Sequence, residues 1–204
     1  FVAGDVITLD NDVNINGTTP GPYTRDSAEI YYDGKDKVGA DLPIALTRAA
    51  LPVAPGSVMA GATEVLFTTS AGYGTSFIAP VGEDTPDTNT NAFEYVDMWV
   101  MAQSGGATFD VDANGDGDLL DPDDISGQTI SEGQNFVAQN IQEGGTLTVT
   151  AGDPVQVHMI TADVDDTFEQ RWFALVPRPN WEASYFAPVG TQPDTGNGNR
   201  GCTE

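Results

Sequence analysis

Apolar residues in this chain come in short runs, each closed by Gly, Pro, Asp or Asn, and within most runs they alternate with polar residues. That punctuation constrains the fold more than any other feature. Successive side chains of a strand point to opposite faces of a sheet, so period-two alternation between turn residues is strand material. The 23 Gly and 13 Pro of the 204 residues are scattered singly, which suits a turn-rich globular protein rather than a low-complexity one.

Strands are expected at residues 2–15, at 28–32 and 37–40 across an Asp33-Gly34 hairpin turn, and at 43–47, 64–69 and 76–81. Residues 93–102, 107–111, 129–138, 145–150, 154–161, 172–177 and 184–189 continue the set. Residues 51–62, with two prolines and two glycines, read as a loop, and no long helix is expected. The expected fold is all-β: an antiparallel β-sandwich, or sandwiches, built from two related strand sets with little or no helix. A propeller- or barrel-like arrangement is the alternative.

The two strand sets come from an internal similarity. Residues 75–82 (TSFIAPVG) match 183–190 (ASYFAPVG), Glu64-Val65-Leu66-Phe67 parallels Arg171-Trp172-Phe173-Ala174 in apolar pattern, and 38–47 parallels 149–158. Residues 83–91 are polar and mark a boundary. The expected organisation is a first β repeat at 1–85, a second at 86–191 and a tail at 192–204.

Residues 110–124 read DVDANGDGDLLDPDD, a denser and more regular series of oxygen ligands than any other stretch offers. A hard divalent cation takes six to eight oxygens at roughly 2.3–2.6 Å, and an EF-hand-type loop supplies them from positions 1, 3, 5, 7, 9 and 12 with Gly at 6. Counted from Asp110, these are Asp110, Asp112, Asn114, the Asp116 carbonyl, Asp118 and Asp121, with Gly115 sixth. Position 8 is Gly117 rather than apolar, and position 12 is Asp rather than Glu. The expected ion is Ca2+, in a helix-free loop of the extracellular kind. Asp163, Asp165 and Asp166, or Glu83 with Asp84 and Asp87, offer a second acidic group, though each also reads as a solvated loop.

Seven Lys plus Arg against 31 Asp plus Glu give a net charge of -24, and no basic residue falls between Arg48 and Arg171. Such a surface repels nucleic acid and anionic membranes. It suits cations, and it also suits life in high salt. No apolar run reaches the roughly 18–20 residues that span a bilayer. The chain opens on Phe1 without a leader pattern, as a mature or excised segment would. Asn16-Gly17-Thr18 matches a glycosylation acceptor. A single cysteine, Cys202, offers no internal disulfide.

Catalysis has little to stand on. The one histidine, His158, falls in an expected strand with Gln156 on the same parity and reads as partly buried and structural. Zinc is disfavoured by one His and one Cys far apart. Trp99, Trp172 and Trp181 could form a sugar platform, though tryptophans in strands are more often core.

The run Asp153-Pro154-Val155-Gln156-Val157, then 171–177 (RWFALVP), Trp181 and 184–191 (SYFAPVGT) resembles the repeat of the IgGFc-binding protein N-terminal domain and its bacterial surface-protein relatives. The resemblance also takes in residues 93–133 and covers most of the chain from about residue 29 to 191. It implies an adhesive or scaffolding role in a large extracellular protein, and no catalytic residues. The expected function is a non-enzymatic, calcium-stabilised structural unit of an extracellular or cell-surface assembly, joined to copies of itself or to other surface proteins by addition of a strand such as residues 6–15. A carbohydrate- or protein-binding adhesion module is the alternative, and a secreted carboxylate hydrolase a third reading.

Overall fold

A computed structural model describes residues 38–50, 61–66, 70–85, 93–132, 134–162 and 171–185. Eleven strands appear there: β1 (Thr47–Ala50), β2 (Gly61–Glu64), β3 (Tyr73–Gly74), β4 (Ser76–Ile78), β5 (Tyr95–Ala102), β6 (Ala107–Asp112), β7 (Ile125–Ile130), β8 (Asn135–Ala138), β9 (Thr146–Gly152), β10 (Val155–Ala162) and β11 (Arg171–Ala174). One 3-10 turn, Arg178–Asn180, is the only helical element among the described residues. No helix among them is long and apolar enough to cross a membrane.

Two antiparallel sheets face each other. One runs β11-β10-β5-β8, with β3 also pairing β10, and the other runs β4-β9-β6-β7; β1 and β2 form a separate hairpin. This is the expected all-β sandwich. Neither sheet closes on itself, so the barrel-like alternative does not apply to the described strands. Period-two alternation makes the core: Phe109 and Leu147 from one sheet meet Met98, Val100, Val157 and Met159 from the other, all fully buried. At about 25 cal/mol per Å² of apolar surface removed from water, such burial is the main favourable term in folding.

The run VDMWVMA of β5, apolar except for Asp97, has its own reason. Val96, Met98 and Val100 belong to the shared core, while Asp97 and Trp99 on the opposite face are also buried, as is Ile160 opposite Asp97 on β10. Strands covered on both faces lose the apolar-polar alternation.

Strands on either side of residue 85 share these sheets: β4 pairs β9 (Phe77↔Leu147) and β3 pairs β10 (Gly74↔Val155). Three expectations are corrected. Residues 38–46 form no strand and are exposed, in contrast to 149–152 and 155–158, to which they were matched in sequence. Pro43 lacks the N–H a ladder needs. Residues 129–138 are not one strand, because Ser131 and Gln134 bond to each other (Gln134 N–H to Ser131 O, 3.0 Å; Ser131 N–H to Gln134 Oε1, 2.9 Å) and the chain crosses from one sheet to the other there. Finally, β2 begins inside the expected loop at 51–62. The expected strands at 2–15 and 28–32, the Asn16 acceptor, residues 163–166, the tail and Cys202 lie outside the described residues.

Candidate metal centre

The acidic stretch joins β6 to β7, neighbouring strands of one sheet, as the sequence pattern implies. Its geometry begins in the ladder. Phe109 pairs with Gln128 and Val111 with Ile125, so β7 carries one extra residue opposite Asp110. A bulge leaves a backbone N–H without its ladder partner. Here the Asp110 carboxylate accepts that of Gly127 at 2.7 Å, and Gly127 has φ +67, where a Cβ would be strained. Asp110 thus serves the strand pair.

Asp112 ends β6 and is nearly buried, at 8% exposure. Its two carboxylate oxygens accept the N–H groups of Gly115 (2.7 Å) and Gly117 (2.9 Å), so the backbone turns around it. Both glycines have positive φ, +73 and +95. Three successive side chains then accept the N–H two residues further on: Asn114 from Asp116 (3.0 Å), Asp116 from Asp118 (3.0 Å) and Asp118 from Leu120 (2.9 Å). Short polar side chains stabilise turns in this way. At Asp116 and Asp118 the bond uses one carboxylate oxygen and leaves the other.

The base of the loop is tied down separately. Asp124 accepts the N–H of Ala113 and of Asp121, both at 2.8 Å, closing the two ends on each other. Gln142 N–H reaches Ala113 O at 2.8 Å, and Asn140 Nδ2 donates to Asp123 at 2.6 Å. The connection at 140–145 therefore braces the loop, and the Gly115 backbone lies against the Gly144 carbonyl.

Asp116, Asp118 and Asp121 come together, each offering a carboxylate oxygen within 4.8 Å of the others, and these three could hold a metal ion. All three are exposed, so solvent screens their repulsion, yet like charges this close favour a cation among them. Among the described residues no other group of three acidic, His or Cys side chains converges so closely. Asn114 lies beside them, donating through Nδ2 to Asp121 at 2.6 Å.

Of the six residues read from the sequence, Asp116, Asp118 and Asp121 form the cluster, Asn114 touches it, Asp112 organises the backbone beneath, and Asp110 belongs to the bulge. Asp123 and Asp124 were not singled out, although they hold the loop closed. The spacing carried a signal for Asp123: counting from Asp112 rather than Asp110 places Asp112, Asn114 and Asp116 at positions 1, 3 and 5, Gly117 at 6, Asp118 at 7 and Asp123 at 12.

In the second acidic group, Glu83 accepts Val96 N–H at 3.0 Å and Asp84 accepts Glu143 N–H at 2.6 Å; Asp87 lies outside the described residues. These two carboxylates fasten the chain before β5 to the rest of the sandwich. His158 is half-buried, with Nε2 3.2 Å from Gln156 Oε1, as its parity implies. Trp99 is core at 7% exposure, whereas Trp181 is 51% exposed. No family model matches the chain, and no curated protein or solved structure matches it either.

Proposed function

We propose that this chain is a calcium-stabilised, non-enzymatic structural domain of an extracellular or cell-surface assembly. The observation that carries the reading is the convergence of Asp116, Asp118 and Asp121 within 4.8 Å on a loop already wrapped around Asp112. The donor set is oxygen alone, which suits a hard cation. The residues that would hold Ca2+ are Asp116, Asp118 and Asp121 with Asn114 beside them, and a register counted from Asp112 would add Asp112 and Asp123. The Asp110–Gly127 bond speaks for this register over one beginning at Asp110.

Bound calcium would offset the crowding of carboxylates and fix the β6–β7 connection against residues 140–145. Such a clasp fits an environment where calcium is plentiful. The resemblance of residues 153–157 and 171–191 to surface-protein repeats supports a scaffolding role, and edge strands that pair on one side only among the described residues are compatible with assembly by strand addition.

The test is thermal unfolding in calcium and in chelator. A ligand bound only by the native state adds about 2.7 kcal/mol at a hundredfold excess over Kd. For a domain of this size that raises the melting temperature by about 5–10 °C. Asp116→Asn with Asp118→Asn should abolish the rise while leaving the chelated protein folded, because the amide oxygen still accepts the backbone N–H. Coincident wild-type melting curves would refute the calcium clasp.

A further inference from the structure

The loop between β6 and β7 contains two dipeptides in which a side-chain carbonyl carbon precedes a glycine nitrogen, Asn114-Gly115 and Asp116-Gly117. In such a pair the glycine nitrogen can attack Cγ of the residue before it and close a five-membered imide, since glycine has no Cβ to hinder the approach. Every other Asp of residues 110–124 precedes a larger residue or Pro122, which has no N–H. Gly115, Asp116 and Gly117 are exposed and Asn114 is half-buried, so water reaches both pairs.

The two glycine nitrogens are the same two that Asp112 holds. Its Oδ1 accepts Gly115 N–H at 2.7 Å, its Oδ2 accepts Gly117 N–H at 2.9 Å, and the carboxylate is nearly buried. A nitrogen must give up that proton before it can attack, and an anionic acceptor this near opposes the negative charge that would build up on it. The attacked groups are tied down as well. Asn114 Oδ1 accepts Asp116 N–H at 3.0 Å and its Nδ2 donates to Asp121 at 2.6 Å, while Asp116 Oδ1 accepts Asp118 N–H at 3.0 Å.

We infer that Asn114 and Asp116 are latent sites of succinimide-forming modification, which the Asp112 carboxylate suppresses by occupying both attacking N–H groups. At Asn114 the bond from Gly115 N to Cγ forms, the amide proton passes by way of water to the departing carboxamide nitrogen, and ammonia leaves. Water then opens the ring at either carbonyl and gives aspartate or isoaspartate. The balance is asparagine plus water to aspartate plus ammonia. At Asp116 the bond from Gly117 N to Cγ forms with loss of water, and the returning water gives aspartate or isoaspartate without change of mass. Isoaspartate at 114 lengthens the backbone between Asp112 and Gly115 by a methylene, so the turn around Asp112 no longer closes and the second site is released with the first. Suppression rests on the backbone contacts of Asp112 and requires no bound cation.

Incubation of the folded full chain in warm, calcium-free buffer tests this, read by mass-spectrometric peptide mapping with fragmentation that separates isoaspartate from aspartate. Breaking a hydrogen bond to a charged acceptor before attack corresponds to about ten- to a hundredfold in rate. Asp112→Ala should raise deamidation at Asn114 and isoaspartate at Asp116 by that factor. Asp112→Asn keeps the shape but offers one acceptor oxygen to two N–H groups; it covers an alanine variant that fails to fold, and should accelerate at least one site about tenfold. Asn140→Gly releases the brace on Asp123 without touching Asp112, and should leave both rates near those of wild type. Unchanged modification in both Asp112 variants overturns the proposal, as does slower modification, the result a carboxylate acting as base would give. Equal acceleration by Asn140→Gly and Asp112→Asn also overturns it, because general loosening of the loop would then be the cause.

Discussion

Replacing Gly115 and Gly117 separately by alanine isolates the docking of the acidic loop from its internal turns. Both glycines have positive φ, +73 and +95, so each substitution puts an L side chain in a region that costs about 1–2 kcal/mol. At Gly117 that is the whole cost, because a Cβ there meets nothing within 4 Å. At Gly115 the new methyl overlaps the Gly144 carbonyl oxygen and lies 2.7 Å from its carbon, both of them backbone atoms. Relief requires the loop to lift from the 140–145 connection. That weakens the 2.8 Å bond from Gln142 N–H to Ala113 O, about 1 kcal/mol, and strains the Asp112 carboxylate's hold on Gly115, about 1.5 kcal/mol more. Gly115→Ala should therefore cost about 3.5–4.5 kcal/mol against about 1–2 kcal/mol for Gly117→Ala. At about 2–4 °C per kcal/mol for a domain of this size, the two melting temperatures should differ by about 5–10 °C. Circular dichroism melts in calcium-free buffer measure this directly. Equal destabilisation, or a larger loss from Gly117→Ala, would mean that the loop does not rest on Gly144.

Two further outcomes follow from the core and from burial of a phenol. Phe109→Ala removes a fully buried ring set edge-on to Phe136 at 5.8 Å, and should lower stability by about 3–5 kcal/mol in urea unfolding with an unchanged m-value; a loss below about 1 kcal/mol would show that the sheets do not close around this ring. Burial pushes the Tyr73 hydroxyl above the ordinary tyrosine range by disfavouring the phenolate, so its contribution is fully present below about pH 10 and is lost as pH rises through the folded-state value. Tyr73→Phe should consequently flatten the alkaline fall in melting temperature, and superimposable alkaline profiles would contradict the burial.

The strands that fill the core were legible because their neighbours cooperate with the pattern. β6 and β9 alternate along their length and end at Asp and Gly, β10 alternates as far as Met159, and each appears within about two residues of its expected place. The pattern failed where a turn signal is a single residue. Ser131 and Gln134 bond to each other through one backbone and one side-chain acceptor, and reading 129–138 as one strand passes over the lone Gly133 between them in sequence. It failed again at 38–46, where alternating apolar residues are present but no partner strand pairs with them among the described residues. In the acidic loop the residue types identified the place but not the division of labour. Asp110 and Asp112 are equivalent in spacing, and only the extra residue in β7, a long-range property of strand pairing, assigns Asp110 to Gly127 and leaves Asp112 to anchor the turn.

The pairing of β3 and β4 has a consequence for how the protein comes into being. Their partners on β10 and β9 lie about 70–80 residues further along the chain. Contacts so distant in sequence slow folding, since the intervening chain must be ordered before they form. On a ribosome adding about 5–20 residues per second, the gap amounts to about 4–16 s during which Phe77, fully buried in the finished core, has no sheet to enter. The hazardous period for this protein thus falls before it is complete. Until residues 146–156 are made, residues 73–78 lack the strands they pair with in the finished sheets.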